Sequence, residues 1–219
     1  IFYYSYAVTT YLVLTIGRLG YPVTDVEPWR ISFLFKGLYY IQISYAVGMG
    51  SIKCSLLLLL KNIFGTTSVA FRRISWTIVT LCISWSVMTI LIAFLQCRPL
   101  NYNWNLKDPA GHCDNQNAAF AAVGAVDIAT DVMIIILPVP MVLARQLSNS
   151  KKAAIISVFA LGLFTIGITV ARMVEILNVN FATFITTGKM VFIWSLVEWG
   201  TALIVASAPL LRPLVNNLV

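Results

Sequence analysis

Charge is what this sequence has least of. Only 11% of its 219 residues are Asp, Glu, Lys or Arg, whereas soluble domains carry about 25%. Hydrophobic residues make up 59%, and the mean hydropathy is +0.87. A single soluble core of this length would leave too much of that apolar surface wet. Histidine is nearly absent as well. His112 stands alone, which excludes a histidine-dependent triad and leaves too few ligands for zinc. No glycine-rich phosphate loop or metal-ligand cluster appears, so nucleotide-driven transport and redox metalloenzymes are disfavoured and no cofactor is expected. No basic cluster is longer than a pair. The formal net charge of +7 therefore does not mark a nucleic-acid binder. It fits lysines and arginines gathered in the short cytoplasmic loops of a membrane protein. Strand-like alternation is also missing, which favours helices over a barrel. The class this leaves is integral membrane, all-α.

Six apolar runs can be placed. The first, Ile1–Ile16, is short for a span, which needs about 20 residues; it reads as a span trimmed at its start, with no signal peptide to discount. The next runs from about Ile31 to Leu60 and exceeds what a bilayer needs, so it should tilt or project. The others are expected at Ile74–Leu95, Ala118–Leu143 (interrupted by Pro138 and Pro140), Ala153–Leu177 and Met190–Ala208, the last stopped by Pro209. One set of loop ends holds Lys61, Arg72, Arg73, Arg145, Lys151, Lys152 and Arg212 with no acid. The other holds Arg18, Arg30, Lys36, Arg98, Lys107 and Lys189 beside Asp25, Glu27, Asp108 and Asp114. Seven against six basic residues is a small bias toward placing the first set in the cytoplasm. The cysteines agree with it. Cys97 and Cys113 share one loop of the second set, where an oxidising compartment would let them pair. That disulfide would close a loop worth about 3 kcal/mol and form a lid stiffened by Pro99, Trp104 and Pro109. Cys54 and Cys82 lie in spans and read as small packing residues.

The charges inside spans carry most of the information. Lys53, Asp127, Asp131, Arg172, Glu175 and Glu198 are each costly in hydrocarbon and should find partners in the bundle interior. Asp127 and Asp131 are four apart and share a helix face; Arg172 and Glu175 are three apart and could pair on their own helix. At a rise of about 1.5 Å per residue, Asp131 lies about 20 Å below the outer end of its span and Lys53 about 12 Å above the inner end. These depths coincide, so a Lys53–Asp131 pair is the first expectation. Asp127 and Glu198 each lie about 14 Å down, with Arg172 somewhat above. These three would form the floor of an outward-facing cavity. Tyr39, Tyr40, Tyr45, Trp194 and Trp199 are candidate pocket residues, although aromatic stripes in spans are more often packing. The same charges could instead be interhelical clamps, a ladder of acids for protons, or an acid–base pair.

Several stretches together resemble the fungal rhodopsin-like domain family. They are Lys53-Cys54-Ser55 followed by leucines and Ile63-Phe64; Gln96-Cys97-Arg98-Pro99 with Trp104, Gly111 and Cys113; Asp131 with Pro138-Val139-Pro140; Lys152, Gly162 and Arg172; and Glu198 with Pro209-Leu210-Leu211-Arg212-Pro213-Leu214. The resemblance implies a seven-helix bundle with its N-terminus outside, so six of seven spans are visible here and the family's first helix would be absent from this single helical domain. The sequence departs from the family at Leu60 and Asn62, where Tyr and Arg are common, and at Asp127, where Asn is common. The family includes receptor-like members and members in secondary-metabolite gene clusters, and its name implies neither retinal nor light. A retinal Schiff base needs a lysine deep in a span. The last span has only Lys189, at its end, and Lys53 is better explained by Asp131.

The expected protein is thus an all-α, polytopic transmembrane helix bundle of the plasma membrane or an endomembrane. Its function would be receptor-like: a small hydrophobic or amphipathic ligand bound in an outward cavity by Arg172, Glu198, Asp127, Asp131 and Lys53, with a cytoplasmic signalling partner and no nucleic acid. The alternative is a membrane-embedded biosynthetic enzyme, a cyclase or isomerase, with Asp127, Glu198 and Arg172 as its catalytic groups.

Overall fold

The computed structural model describes residues 2–19, 27–64, 69–99, 102, 111–140, 149–178 and 188–216. Among these residues six helices can be described in chain order: α1 (Phe2–Thr15), α2 (Pro28–Phe64), α3 (Val69–Leu95), α4 (Gln116–Ile136), α5 (Asn149–Asn178) and α6 (Lys189–Asn216). Five of them, α2 to α6, are long and apolar enough to cross a membrane. The exterior they present is what a bilayer requires: Leu91 on α3, Phe164 on α5 and Ile204 on α6 are all exposed. The chain is a multi-pass membrane protein and sits in a lipid bilayer.

The helix ends follow local chemistry. Proline opens α2, where its missing N–H costs nothing, and the Glu27 carbonyl accepts from the amides of Arg30 and Ile31. At 37 residues α2 is about 55 Å long, well beyond a hydrocarbon core of about 30 Å. Asn115 caps α4, its side-chain oxygen accepting from the Ala118 amide at 3.2 Å. α4 runs to Ile136, and the expected interruption falls there because Pro138 lacks a donor and clashes with the preceding turn; residues 141–143 of the expected span lie outside the described residues. α6 does not stop at Pro209 but continues to Asn216. In a bilayer no water competes for the remaining backbone bonds, so one missing donor need not end a helix.

The helices close into a ring. α2 packs on α3, α3 on α4, α4 on α5, α5 on α6 and α6 back on α2, while α1 lies against both α2 and α6. The α2–α6 approach is close because position 48 is glycine: a Cβ there would run into the Trp199 indole. Two apolar clusters fill the interior. One gathers Tyr6, Leu34, Tyr45, Met49, Trp85 and Trp199; the other, nearer the end bearing Lys61, gathers Leu57, Phe71, Ile78, Cys82 and Ile134. At that end the Lys61 ammonium lies 4.4 Å from the Trp76 ring centre, with Arg72 and Arg73 exposed beside it.

The opposite end carries the lid. Cys97 and Cys113 are bonded. They sit opposite each other in a two-residue antiparallel ladder, β1 (Cys97–Arg98) with β2 (His112–Cys113), a small addition to an otherwise helical fold. The Asp114 amide donates to the Gln96 carbonyl at 2.9 Å and extends the clip. Trp104 and Pro109, expected to stiffen this loop, lie outside the described residues, as do Asp25, Lys107, Asp108 and Arg145.

Candidate functional site

Five charged side chains from four helices meet inside the ring. Lys53 of α2 places its ammonium 2.6 Å from Asp127 Oδ1 and 2.8 Å from Asp131 Oδ1. It also donates to Thr130 Oγ1 at 2.9 Å and to the Asp127 carbonyl at 3.2 Å. The expected Lys53–Asp131 pair therefore forms, but as part of a larger arrangement. Arg172 of α5 donates through Nη2 to Asp127 Oδ2 at 2.6 Å. Its Nε lies 2.6 Å from Glu198 Oε2, yet at an angle that makes no hydrogen bond, so that contact is Coulombic attraction alone. Asp127 is thus the centre, holding one cation on each oxygen. Its exposure is 0% and that of Glu198 1%, so both would be prohibitively costly without these partners. The expected Arg172–Glu175 pair is not among the ion pairs of the described residues. Arg172 is buried and turned to the interior acids, while Glu175 is only half-buried.

Hydroxyls complete the network. Thr169, one turn before Arg172, donates to Glu198 Oε1 at 2.7 Å; its Oγ1 is also 3.0 Å from the Thr165 carbonyl and 3.5 Å from Asp131 Oδ2. Thr130 accepts from Lys53 and donates to the Asp127 carbonyl at 2.8 Å. Tyr45 donates to Glu198 Oε2 at 2.9 Å, with Asp127 Oδ2 at 3.5 Å. Neither threonine is obvious from sequence. Each lies three residues from a buried charge on its own helix, the spacing that shares a face, and that is the signal that could have found them.

Aromatic rings pack against the network. Tyr45 lies between Trp85 and Trp199, each with its ring centre 6.3 Å away, and Tyr6 of α1 meets Trp199 edge-on at 4.7 Å. The cations use the same rings: Arg172 lies 5.1 Å from the Tyr45 centroid and Lys53 5.1 Å from that of Trp85, within the range of cation–π attraction. Trp85 donates its indole N–H to the Val123 carbonyl at 3.0 Å. Of the expected pocket residues, Tyr45 and Trp199 join the network. Tyr40 is exposed and bonds Ser5 at 2.7 Å, and Tyr39 stacks edge-on with Phe94. Trp194 is half-buried. A shallow apolar groove of about 390 Å³ runs along α3 between Ile83 and Leu95, and no residue of the network lines it.

Such an arrangement can clamp four helices, present fixed charge to a polar group of a ligand, or hold a proton. The model of the fungal rhodopsin domain matches residues 1–217. "Receptor GIN3" of Arthrobotrys oligospora is 30% identical over 188 residues, covering 82% of this chain and 43% of that receptor. A "SAT4 family membrane protein" of Emericella nidulans is 28% identical over 174 residues, 77% of this chain and 44% of the relative. The "polyenoic acids biosynthesis gene cluster protein Ba17b" of Metarhizium anisopliae is 23% identical over 214 residues, 93% of this chain and 58% of the relative. The chain spans about half the length of these curated relatives. No solved structure matches it.

Proposed function

Because the chain belongs to the fungal rhodopsin domain family, we propose that it is a receptor-like bundle that binds a small hydrophobic or amphipathic ligand and responds through its buried charges. The observation that carries this reading is the joint placement of Tyr45. Its ring lies between Trp85 and Trp199, and its hydroxyl holds Glu198. A ligand that displaces this ring from the disulfide end breaks a hydrogen bond on Glu198 and uncovers Arg172, changing the clamp between α5 and α6. Differential contact of that kind is what lets a ligand shift a bundle between states. Arg172, Glu198 and Asp127 are the polar floor on which the ligand's own polar group would seat, with Lys53 and Asp131 beneath.

The test is a stability screen of the purified protein in lipid nanodiscs against fractionated fungal extracts. Ligand that binds only the folded state raises the thermal midpoint. The shift should appear in the wild type and vanish in Tyr45→Phe and Arg172→Gln, with monodisperse elution retained. A shift that survives both substitutions rejects this site.

A second reading draws on the relatives named for biosynthesis clusters: a membrane-embedded enzyme in which Asp127 and Glu198 exchange protons with a hydrophobic metabolite. It predicts a product that disappears from cells when Asp127→Asn/Glu198→Gln replaces the wild type at equal expression. Unchanged metabolites reject it.

A further inference from the structure

Among the described residues the network contains three carboxyl groups, Asp127, Asp131 and Glu198, but only two cations, Lys53 and Arg172. The other titratable groups that face it among the described residues are phenols and a thiol, Tyr6 from α1, Tyr45 from α2 and Cys82 from α3, which ordinarily carry no charge at neutral pH. Full ionisation would leave one unneutralised negative charge among side chains that are only 0–14% exposed, which is far costlier than binding a proton. We propose that the network is a proton-binding site, holding one exchangeable proton that Thr169 relays between Asp131 and Glu198.

Geometry selects the two seats. Asp127 has an ammonium on one oxygen and a guanidinium on the other, each at 2.6 Å, so neither oxygen is free to seat the proton. Asp131 Oδ1 faces Lys53 at 2.8 Å, but its Oδ2 has only the Thr169 hydroxyl, at 3.5 Å, among the hydrogen bonds of the described residues. Glu198 has a guanidinium beside it without a hydrogen bond from it, and its oxygens are held by neutral hydroxyls. These two loosely committed carboxyls are joined by one atom, Thr169 Oγ1. With the proton on Asp131 Oδ2, that O–H turns to Thr169 Oγ1 while the threonine proton bonds Glu198 Oε1. In transfer the Asp131 O–H bond breaks and its proton joins Thr169 Oγ1 as the threonine's own proton passes to Glu198 Oε1. No net charge is created. The position of the proton decides which clamp is fully ionic: Arg172–Glu198 between α5 and α6, or Lys53–Asp131 between α2 and α4.

This inference does not depend on any ligand. Infrared spectroscopy of the protein in nanodiscs at pH 7 reads it directly, because a protonated carboxyl has a C=O stretching band that an ionised carboxylate lacks. One such band is expected in the wild type and in Glu175→Gln, which leaves the network untouched. It should vanish in Asp131→Asn and equally in Glu198→Gln, since either change balances the charges. In Thr169→Val it should persist at a displaced frequency. Absence of the band from the wild type, or its survival in both Asp131→Asn and Glu198→Gln, overturns the proton site. An unchanged frequency in Thr169→Val overturns the relay.

Discussion

Lys53→Met is the substitution that tests the network most sharply. Methionine keeps the unbranched apolar stem of lysine to within one atom of its length and removes the charge and its donors. The ammonium touches two carboxylates, at 2.6 and 2.8 Å, and the Thr130 hydroxyl at 2.9 Å. Its loss leaves Arg172 to face three carboxyl groups. Removing one partner of a buried ion pair costs about 3–5 kcal/mol, most of it the penalty of the stranded charge. If stranding is the cause, Lys53→Met/Asp131→Asn should be more stable than Lys53→Met alone by about 2 kcal/mol, since the excess of acid returns to its original value. Such a coupling lies within what contacting residues show in double-mutant cycles. Reversible unfolding in mixed micelles, followed by tryptophan fluorescence, measures all three variants. Lys53→Met within about 1 kcal/mol of wild type, or a double variant no better than the single, would refute the argument and reduce the network to a set of dispensable pairs.

Four further outcomes follow from the same geometry. Replacing both Cys97 and Cys113 by serine should lower stability by about 3 kcal/mol through the freed loop, read as a lower midpoint that reductant no longer changes. Gly48→Ala should destabilise by about 1–3 kcal/mol, because the new methyl meets Trp199 and a packed interior resists overfilling; pairing it with Trp199→Leu should recover part of the loss. The exchange Lys53→Asp with Asp131→Lys should fail to restore stability, because an aspartate at 53 would also face Asp127. The start of α2 should loosen in acid: Arg30 and then Trp29 hydrogen-bond the Glu27 carboxyl and hold it below the usual glutamate range. A depressed acid contributes above its unfolded value and loses that contribution as the pH falls through its folded one. Protection of the Arg30 and Ile31 amides, measured against their intrinsic exchange rates at each pH, should therefore fall only on the acid side of the ordinary glutamate range, and Glu27→Gln should abolish that pH dependence.

What could be read in the sequence depended on whether a fixed repeat distance governed it. The rise of the α-helix is fixed, so counting residues from two span ends put Lys53 and Asp131 at one depth, and the two meet at 2.8 Å. The same counting grouped Arg172, Asp127 and Glu198, whose contacts are 2.6 Å. The rotation of each helix about its axis follows no such count. It is set by side-chain packing between helices, and it is why Lys53 reaches Asp127 as well and why Arg172 turns from Glu175 to the interior acids. Tyr6 was invisible for the same reason, since its burial at 1% exists only because α1 lies against α2 and α6.

Thr169 shows where the limit lies in chemistry. A threonine in a span ordinarily bonds the carbonyl one turn back, and Thr169 has that bond within reach, at 3.0 Å from Thr165. Nothing in its own helix announces a second role. The role appears only when α4 and α6 bring Asp131 and Glu198 to opposite sides of one hydroxyl. Five titratable groups would then respond as a unit to a change at any one of them. A ligand displacing Tyr45 and a proton leaving Asp131 would both act on Glu198, one through its Oε2 partner and the other through its Oε1 partner. Binding and protonation at this site should therefore be thermodynamically linked, each altering the free energy of the other by the same amount.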